Sequence, residues 1–326
     1  MNPKQAFQAR ATLKSGIRKF FQDRDYLEVD APILVPCPGT EVHLDYFESH
    51  WLDFQHKSHK LFLRSSPELH LKQAMSFGLD KVFQLAPCFR NGGEASQWHH
   101  PEFTMLEWYE SNISYEAFMD STVDLIRHCR SSLVAAGFDC PPLADHFEKI
   151  SVADAFLKFT GIPLLDEDPD LAQKAIAMGN PSVRDDDDFE TAFFKLMLDH
   201  VEPALKEKKA IILYDYPASQ SALARVIDGK AKRFELYING IELSNAFLEL
   251  LDSKENEARI QQSQQRRKAL GKQEIANDPH FIMALERGIP QSCGNAMGFD
   301  RLLALLLGLE GIQDIIPFHE NQTFPL

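Results

Sequence analysis

The chain lacks the short motifs that mark the common nucleotide-binding and hydrolytic scaffolds. It contains no G-x-x-x-x-G-K-[ST], G-x-G-x-x-G, H-E-x-x-H or G-x-S-x-G. That excludes a P-loop, a dinucleotide fingerprint, a zincin helix and a nucleophile elbow. Cysteine is scarce: Cys37, Cys88, Cys129, Cys140 and Cys293 make an odd five with no C-x-x-C pair. A disulfide framework and a thiolate zinc site are therefore not expected, and a reducing, cytoplasmic setting is. Positive charge is also in deficit, with 34 Lys and Arg against 48 Asp and Glu and a net charge of −14. A protein that grips a phosphate backbone usually carries a basic face, so tRNA is not an expected partner on charge grounds. No cationic leader precedes an apolar run, and the longest such run, Leu302 to Leu309, is far too short for a bilayer.

What remains is ordinary globular material, 326 residues of which 44% are hydrophobic, enough for a substantial core. Residues 5–24 carry an amphipathic stripe at Leu13, Ile17, Phe20 and Phe21, followed by a short strand at Leu27–Val29 that runs to Pro32. Ser66-Pro67-Glu68 reads as a helix start with Gly78 as its end. Strands are expected at 82–90 and 102–109, and a second amphipathic helix at 114–137 buries Phe118, Thr122, Ile126, Cys129 and Leu133. Further strands fall at 210–215, 232–238 and 241–250. Helices follow at 252–271, after Pro279 and at 300–307. Strand and helix runs mix without βαβ alternation, which predicts an α+β fold with an antiparallel sheet flanked by helices. We expect a single domain over 1–326, with an insertion at about 141–209 containing Pro141-Pro142 and the run Asp185 to Asp188. Such an acidic run is more often a solvated surface than a cation site.

Three segments carry chemistry. In RFELYINGIELSNAFLEL (233–250), Asn239-Gly240 between alternating apolar runs predicts a two-residue hairpin. Tyr237 then faces Glu242, and Glu235 lies diagonal to Glu242 on one face, the two backbones roughly 7–8 Å apart. Two carboxylates so placed suit Mg²⁺ with phosphate oxygens, or else form a solvated outer face. In FRNGGEASQWHHPEFTMLEWY (89–109), Arg90 ends one strand while Glu107 and Tyr109 share a face of the next. Arg90 is placed to grip a phosphoryl or carboxylate oxygen, or to pair with Glu107 across the hairpin. In GNAMGFDR (294–301), Arg301 sits in a first helical turn, where a cation is disfavoured unless an anion awaits it.

Together and in this order the segments resemble the signature motifs of class II aminoacyl-tRNA synthetases, most closely the lysyl branch. The helix and strand ending at Pro32 resemble motif 1, FRN…HHPEFTMLEWY motif 2, and GNAMGFDR motif 3. GIELSNAF-x-EL is similar to the lysyl-branch segment between them. Motif 1 begins near residue 1, so no OB-fold anticodon domain is expected. That is the pattern of the free-standing lysyl-synthetase paralogues that modify translation elongation factor P. The resemblance implies a catalytic core that uses ATP and Mg²⁺ to activate (R)-β-lysine, or lysine, and transfers it to a lysine of elongation factor P. It also implies a homodimer built on motif 1.

Carried over residue by residue, Arg90 would hold the α-phosphate and the substrate carboxylate, and Arg301 the γ-phosphate. His99 would approach the terminal phosphates, and Glu94 the adenine. Glu235 and Glu242 would hold Mg²⁺. Glu68 would meet the substrate's near amino group and Asn245 its carboxylate. Glu107, Tyr109 and Glu249 would bind the distal ammonium, with Ala296 shaping the pocket. Departures are the pair Gly92-Gly93 where a glutamate usually follows the arginine, Trp98 and His100 in the motif 2 loop, and Ala246 where glycine is frequent. Strict alternation sets Glu242 on the sheet face opposite Asn245 and Glu249, so a β-bulge between Leu243 and Ala246 is expected. The competing functions are another ligase on this scaffold, such as an amidating enzyme or a minimal tRNA charger, and a non-catalytic paralogue. The acidic trio opposes the first, and the presence of Arg90, Glu235, Glu242 and Arg301 opposes the second.

Overall fold

The computed structural model describes residues 1–93, 96–316 and 318. Its contacts divide the chain into two compact units, Met1–Pro141 with Glu249–Leu326, and Pro142–Leu248. The first unit opens with α1 (Pro3–Gln22), β1 (Leu27–Glu28), β2 (Leu34–Val35), β3 (Glu48–Leu52), β4 (Ser58–Leu63), α2 (Glu68–Met75), β5 (Lys81–Phe89), β6 (Glu102–Ser111) and α3 (Tyr115–Ala135). The second contains β7 (Glu148–Ser151), α4 (Val152–Thr160), α5 (Leu171–Ala177), α6 (Phe189–Leu196), α7 (Glu202–Leu205), β8 (Ala210–Pro217), β9 (Val226–Ile227), β10 (Lys230–Ile238) and β11 (Ile241–Leu248). The chain then returns to the first unit with α8 (Ser253–Ala269), α9 (Pro279–Arg287), β12 (Ser292–Gly298) and α10 (Phe299–Leu306).

In the first unit two helices start on side-chain caps. Asn2 and Gln5 form a reciprocal capping box at the start of α1, and Ser114 caps α3 through the Ala117 amide at 3.1 Å. The α1 stripe and the α3 face are both buried, and the two helices approach closely: a Cβ on Gly16 would stand 2.8 Å from Ser132 Oγ. The sheet runs β1-β5-β6-β12, with β1 parallel to β5 and the other pairs antiparallel. A smaller antiparallel sheet runs β2-β4-β3.

β12 is a finding the pattern did not announce. Ser-Cys-Gly-Asn-Ala-Met-Gly has no β-branched residue, so local propensity is silent and pairing with β6 decides. Gly294 is required there, because a Cβ would lie 2.2 Å from the Tyr109 ring and 2.3 Å from Glu249 Oε1.

In the second unit the strands run β11-β10-β8-β7, antiparallel apart from the β7–β8 pair. Its core is built on Phe156 stacked against Phe193 at 5.1 Å, with Val201, Ile211, Leu213 and Tyr237. The unit begins where the expected insertion begins and continues beyond residue 209 to Leu248. The aspartate run has structural work: Asp188 caps α6 through the Thr191 amide at 2.8 Å, and Asp187 pairs with Lys195 at 2.6 Å. Asn239 and Gly240, at φ +51° and +75°, make the β10–β11 turn. Register then runs Ile238 to Ile241 and Tyr237 to Glu242, skips Leu243, and resumes at Leu236 to Ser244 and Glu235 to Asn245. Leu243 is the extra residue of the expected bulge, so Glu235, Tyr237, Glu242 and Asn245 share one face.

Candidate active site

The first unit gathers a buried acidic pocket around the start of α2. Ser66 Oγ, just ahead of α2, accepts the Glu68 amide at 2.9 Å and donates to Glu107 Oε2 at 2.7 Å. Tyr109, two residues further along β6, donates its hydroxyl to Glu107 Oε1 at 2.7 Å. Lys72, one helical turn beyond Glu68, places its ammonium 2.6 Å from Glu68 Oε1 and 2.5 Å from Glu249 Oε2. Lys72 and Glu107 are each 1% exposed and Glu249 2%. Ala296 on β12 lies directly opposite Glu107 on β6. Thus Glu68, Glu107, Tyr109, Glu249 and Ala296, expected from sequence to share a site, do come together.

The electrostatics are unbalanced. Burial pushes the Glu107 carboxyl up to about 8, helped by the Glu68 charge and opposed by the Tyr109 and Ser66 hydroxyls and by Lys72. Burial likewise lifts Glu249 to about 7 against the pull of Lys72. Burial works to strip the Lys72 proton, but Glu249 and Glu68 more than offset it, and the ammonium is held above its ordinary value. Lys72 is in ion-pair contact with Glu249 Oε2, whereas Oε1 has no hydrogen-bond donor among the described residues. Three carboxylates with one ammonium form a pocket that can take a further cation with hydrogen atoms to give.

Arg90 follows β5, with its guanidinium carbon 5.3 Å from the Phe103 ring centroid. Its Nε is buried and has no hydrogen-bond partner among the described residues. The alternative ion pair with Glu107 does not form, because Ser66 and Tyr109 hold that carboxylate. An orphaned guanidinium nitrogen fits a phosphoryl or carboxylate oxygen. Arg301 and His99 are brought together at 2.7 Å, and Arg301 Nε donates to the Trp98 carbonyl at 3.3 Å. The start of α10 is pinned by its neighbour Asp300, which accepts from Arg10 at 2.5 Å and from the Thr104 amide at 2.7 Å. Glu94 lies outside the described residues.

In the second unit Glu235 is fully engaged. It accepts from Tyr216 and Tyr237 hydroxyls at 2.5 and 2.6 Å and from Arg233 at 2.5 Å. The charge of Glu242 is felt by the same Arg233 and both tyrosines. Asn245 Oδ1 is buried with no hydrogen-bond partner among the described residues. Two carboxylates with one guanidinium among them give hard oxygen donors that fit a hard divalent cation, with Glu235 sharing its oxygens with protein donors.

Sequence reasoning missed Lys72, Ser66 as a Glu107 partner, and the Arg10–Asp300 pair. Glu68-x-x-x-Lys72 spacing was visible, but such pairs usually lie on the solvated face of a helix.

The chain belongs to the tRNA synthetases class II (D, K and N), whose match spans residues 1–322. Among similar relatives is the elongation factor P–(R)-beta-lysine ligase of Hamiltonella defensa, 36% identical over 318 residues, 95% of this chain and 93% of that one. Proteins of the same name from Proteus mirabilis and Salmonella arizonae are each 36% identical over 315 residues, with the same coverage.

Proposed function

We propose that the protein activates (R)-β-lysine, or lysine, as its adenylate with ATP and transfers the aminoacyl group to a lysine side chain of elongation factor P. The observation that carries this reading is the under-compensated pocket of Glu107, Tyr109 and Glu249, which suits a substrate with a second ammonium. The names of the similar relatives support the substrate and the acceptor.

Arg90 orients the substrate carboxylate against the α-phosphate, and Arg301 with His99 holds the terminal phosphates. Glu107, Tyr109 and Glu249 fix the distal ammonium, Glu68 the near amino group, and Asn245 the carboxylate. No general acid or base is needed in the first half-reaction: the carboxylate oxygen attacks phosphorus, pyrophosphate leaves, and positioning and charge neutralisation lower the barrier. In the second, an amine displaces AMP. Mg²⁺, when bound, offsets triphosphate charge, and Glu242 with Glu235 would hold it. Glu242→Gln is accordingly expected to remove ATP–pyrophosphate exchange while the circular dichroism spectrum is unchanged.

We place the protein in the cytoplasm, as a homodimer whose acceptor is a protein rather than tRNA. Among the described residues no helix is long and apolar enough to cross a membrane. Leu27, Ile33 and Leu34 are exposed apolar residues of the motif 1 region that a partner copy would cover. Incubation with ATP, each lysine isomer and elongation factor P should add one lysyl mass to the factor. Absence of exchange with either isomer would overturn the reading.

A further inference from the structure

Lys72 stands four residues after Glu68 on a short helix, a spacing whose ordinary product is a solvated pair of little energetic weight. Here the lysine is 1% exposed. A buried ammonium is expensive and persists only where carboxylates surround it. Lys72 has two, Glu68 on its own helix and Glu249. It also lies 5.7 Å from the centroid of the Tyr109 ring, the residue that orients Glu107. Glu107 is engaged separately by Ser66 and Tyr109.

We propose that Lys72 is a resident counter-ammonium of the amino-acid pocket, a positioning residue that shifts its carboxylates toward the charged form without completing their ionisation, and so makes the pocket select substrates bearing a second positive charge. The inference rests on the reading of Glu107 and Glu249 as the distal-ammonium site.

The physical reason is a balance of charge. With no cation, burial and mutual repulsion would leave protons on Glu249 and Glu107, and a protonated acid attracts an ammonium far less than a carboxylate does. Lys72 opposes that protonation at both residues. It does not saturate them. It approaches Glu249 at Oε2, while Oε1 lies where only the missing side chain of Gly294 leaves room. One oxygen faces the protein's own ammonium, and the other is buried beside Gly294 without a hydrogen-bond donor among the described residues. Three carboxylates against one lysine leave the pocket short of cations, and a substrate with a second ammonium restores the balance.

A fastener between α2 and Glu249 would use the same contacts, so the test must separate charge selection from packing. The ratio of kcat/KM for lysine over norleucine, which has the same carbon chain without the ammonium, is measured by ATP–pyrophosphate exchange, together with KM for ATP. In Lys72→Met, which keeps length and removes charge, the ratio should fall at least about tenfold, with KM for ATP unchanged. Lys72→Gln, which keeps a hydrogen-bond donor and is the gentler change for folding, should show the same fall in ratio. A ratio unchanged in the folded variants, or fully restored by glutamine, would overturn the proposal and leave Lys72 a fastener. Failure of the unaltered protein to use either lysine isomer would instead overturn the functional reading, and this inference with it.

Discussion

Two regions bury carboxylates on sheet faces and treat them in opposite ways. On the hairpin of the second unit, Glu235 has a guanidinium and two phenol hydroxyls, all within 2.6 Å. In the first unit, Glu68 and Glu249 share one ammonium, Glu107 has only two hydroxyl donors, and Glu249 Oε1 lacks a donor among the described residues. Folding alone favours the first arrangement, since unpaired buried charge is costly. The second is left to be relieved by protons or by the cation of a ligand. A deficit of donors therefore points to a binding function more sharply than burial does.

Conservative substitutions should break the two regions differently. Glu249→Gln is expected to raise KM for the lysine substrate by 100-fold or more, since truncating one partner of a buried charge pair costs about 2–5 kcal/mol. Stability by urea denaturation should be unchanged or higher, because Lys72 keeps Glu68. A normal KM would remove Glu249 from the ammonium site. Glu235→Gln should do the reverse in the metal-free protein. It leaves Arg233 without its carboxylate and should cost up to about 3–5 kcal/mol of stability by the same denaturation, and an unaltered midpoint would show that the tyrosines suffice.

A smaller effect follows from pH. The folded-state values near 8 for Glu107 and near 7 for Glu249 lie above the ordinary carboxylate range. The folded protein therefore holds protons that the unfolded chain has released. The stability these groups contribute is complete below the unfolded value and fades as pH rises through 7 to 8. Melting temperature should fall across that window, and the double substitution Glu107→Gln with Glu249→Gln should flatten the slope. Saturating lysine should flatten it too, by pulling both values down. A slope the double substitution leaves untouched would assign the effect to other groups.

The smallest effect concerns Ala296, the cross-strand neighbour of Glu107. Removing one methyl in a tight pocket is worth roughly 1–3 kcal/mol of discrimination. Ala296→Gly should raise activation of α-lysine relative to β-lysine by about tenfold or more, with activity retained. Equal ratios of kcat/KM before and after would make Ala296 a packing residue only.

Much of this was legible in one dimension, and for local reasons. The α1 and α3 faces follow from 3.6-residue periodicity, and their starts from the side chains of Asn2 and Ser114. The Asn239-Gly240 turn follows from positive φ at both residues. Even the bulge at Leu243 could be anticipated, because proposed roles on opposite faces of a period-two strand demand an extra residue. Order and spacing of three segments sufficed to indicate the family.

Tertiary structure decided what depends on partners distant in sequence. β12 is a strand because β6 pairs with it, against a composition that offers no preference. Glu249 meets Lys72 across 177 residues of chain, the difference of their positions. Nothing within either neighbourhood signals that contact. The division at Pro141 and Leu248 likewise arises from which side chains share a core. Propensity, capping and turn chemistry are properties of a few adjacent residues and can be read from the chain itself. Burial of a charge, and the number of opposite charges it finds there, exist only once segments far apart in sequence have come together.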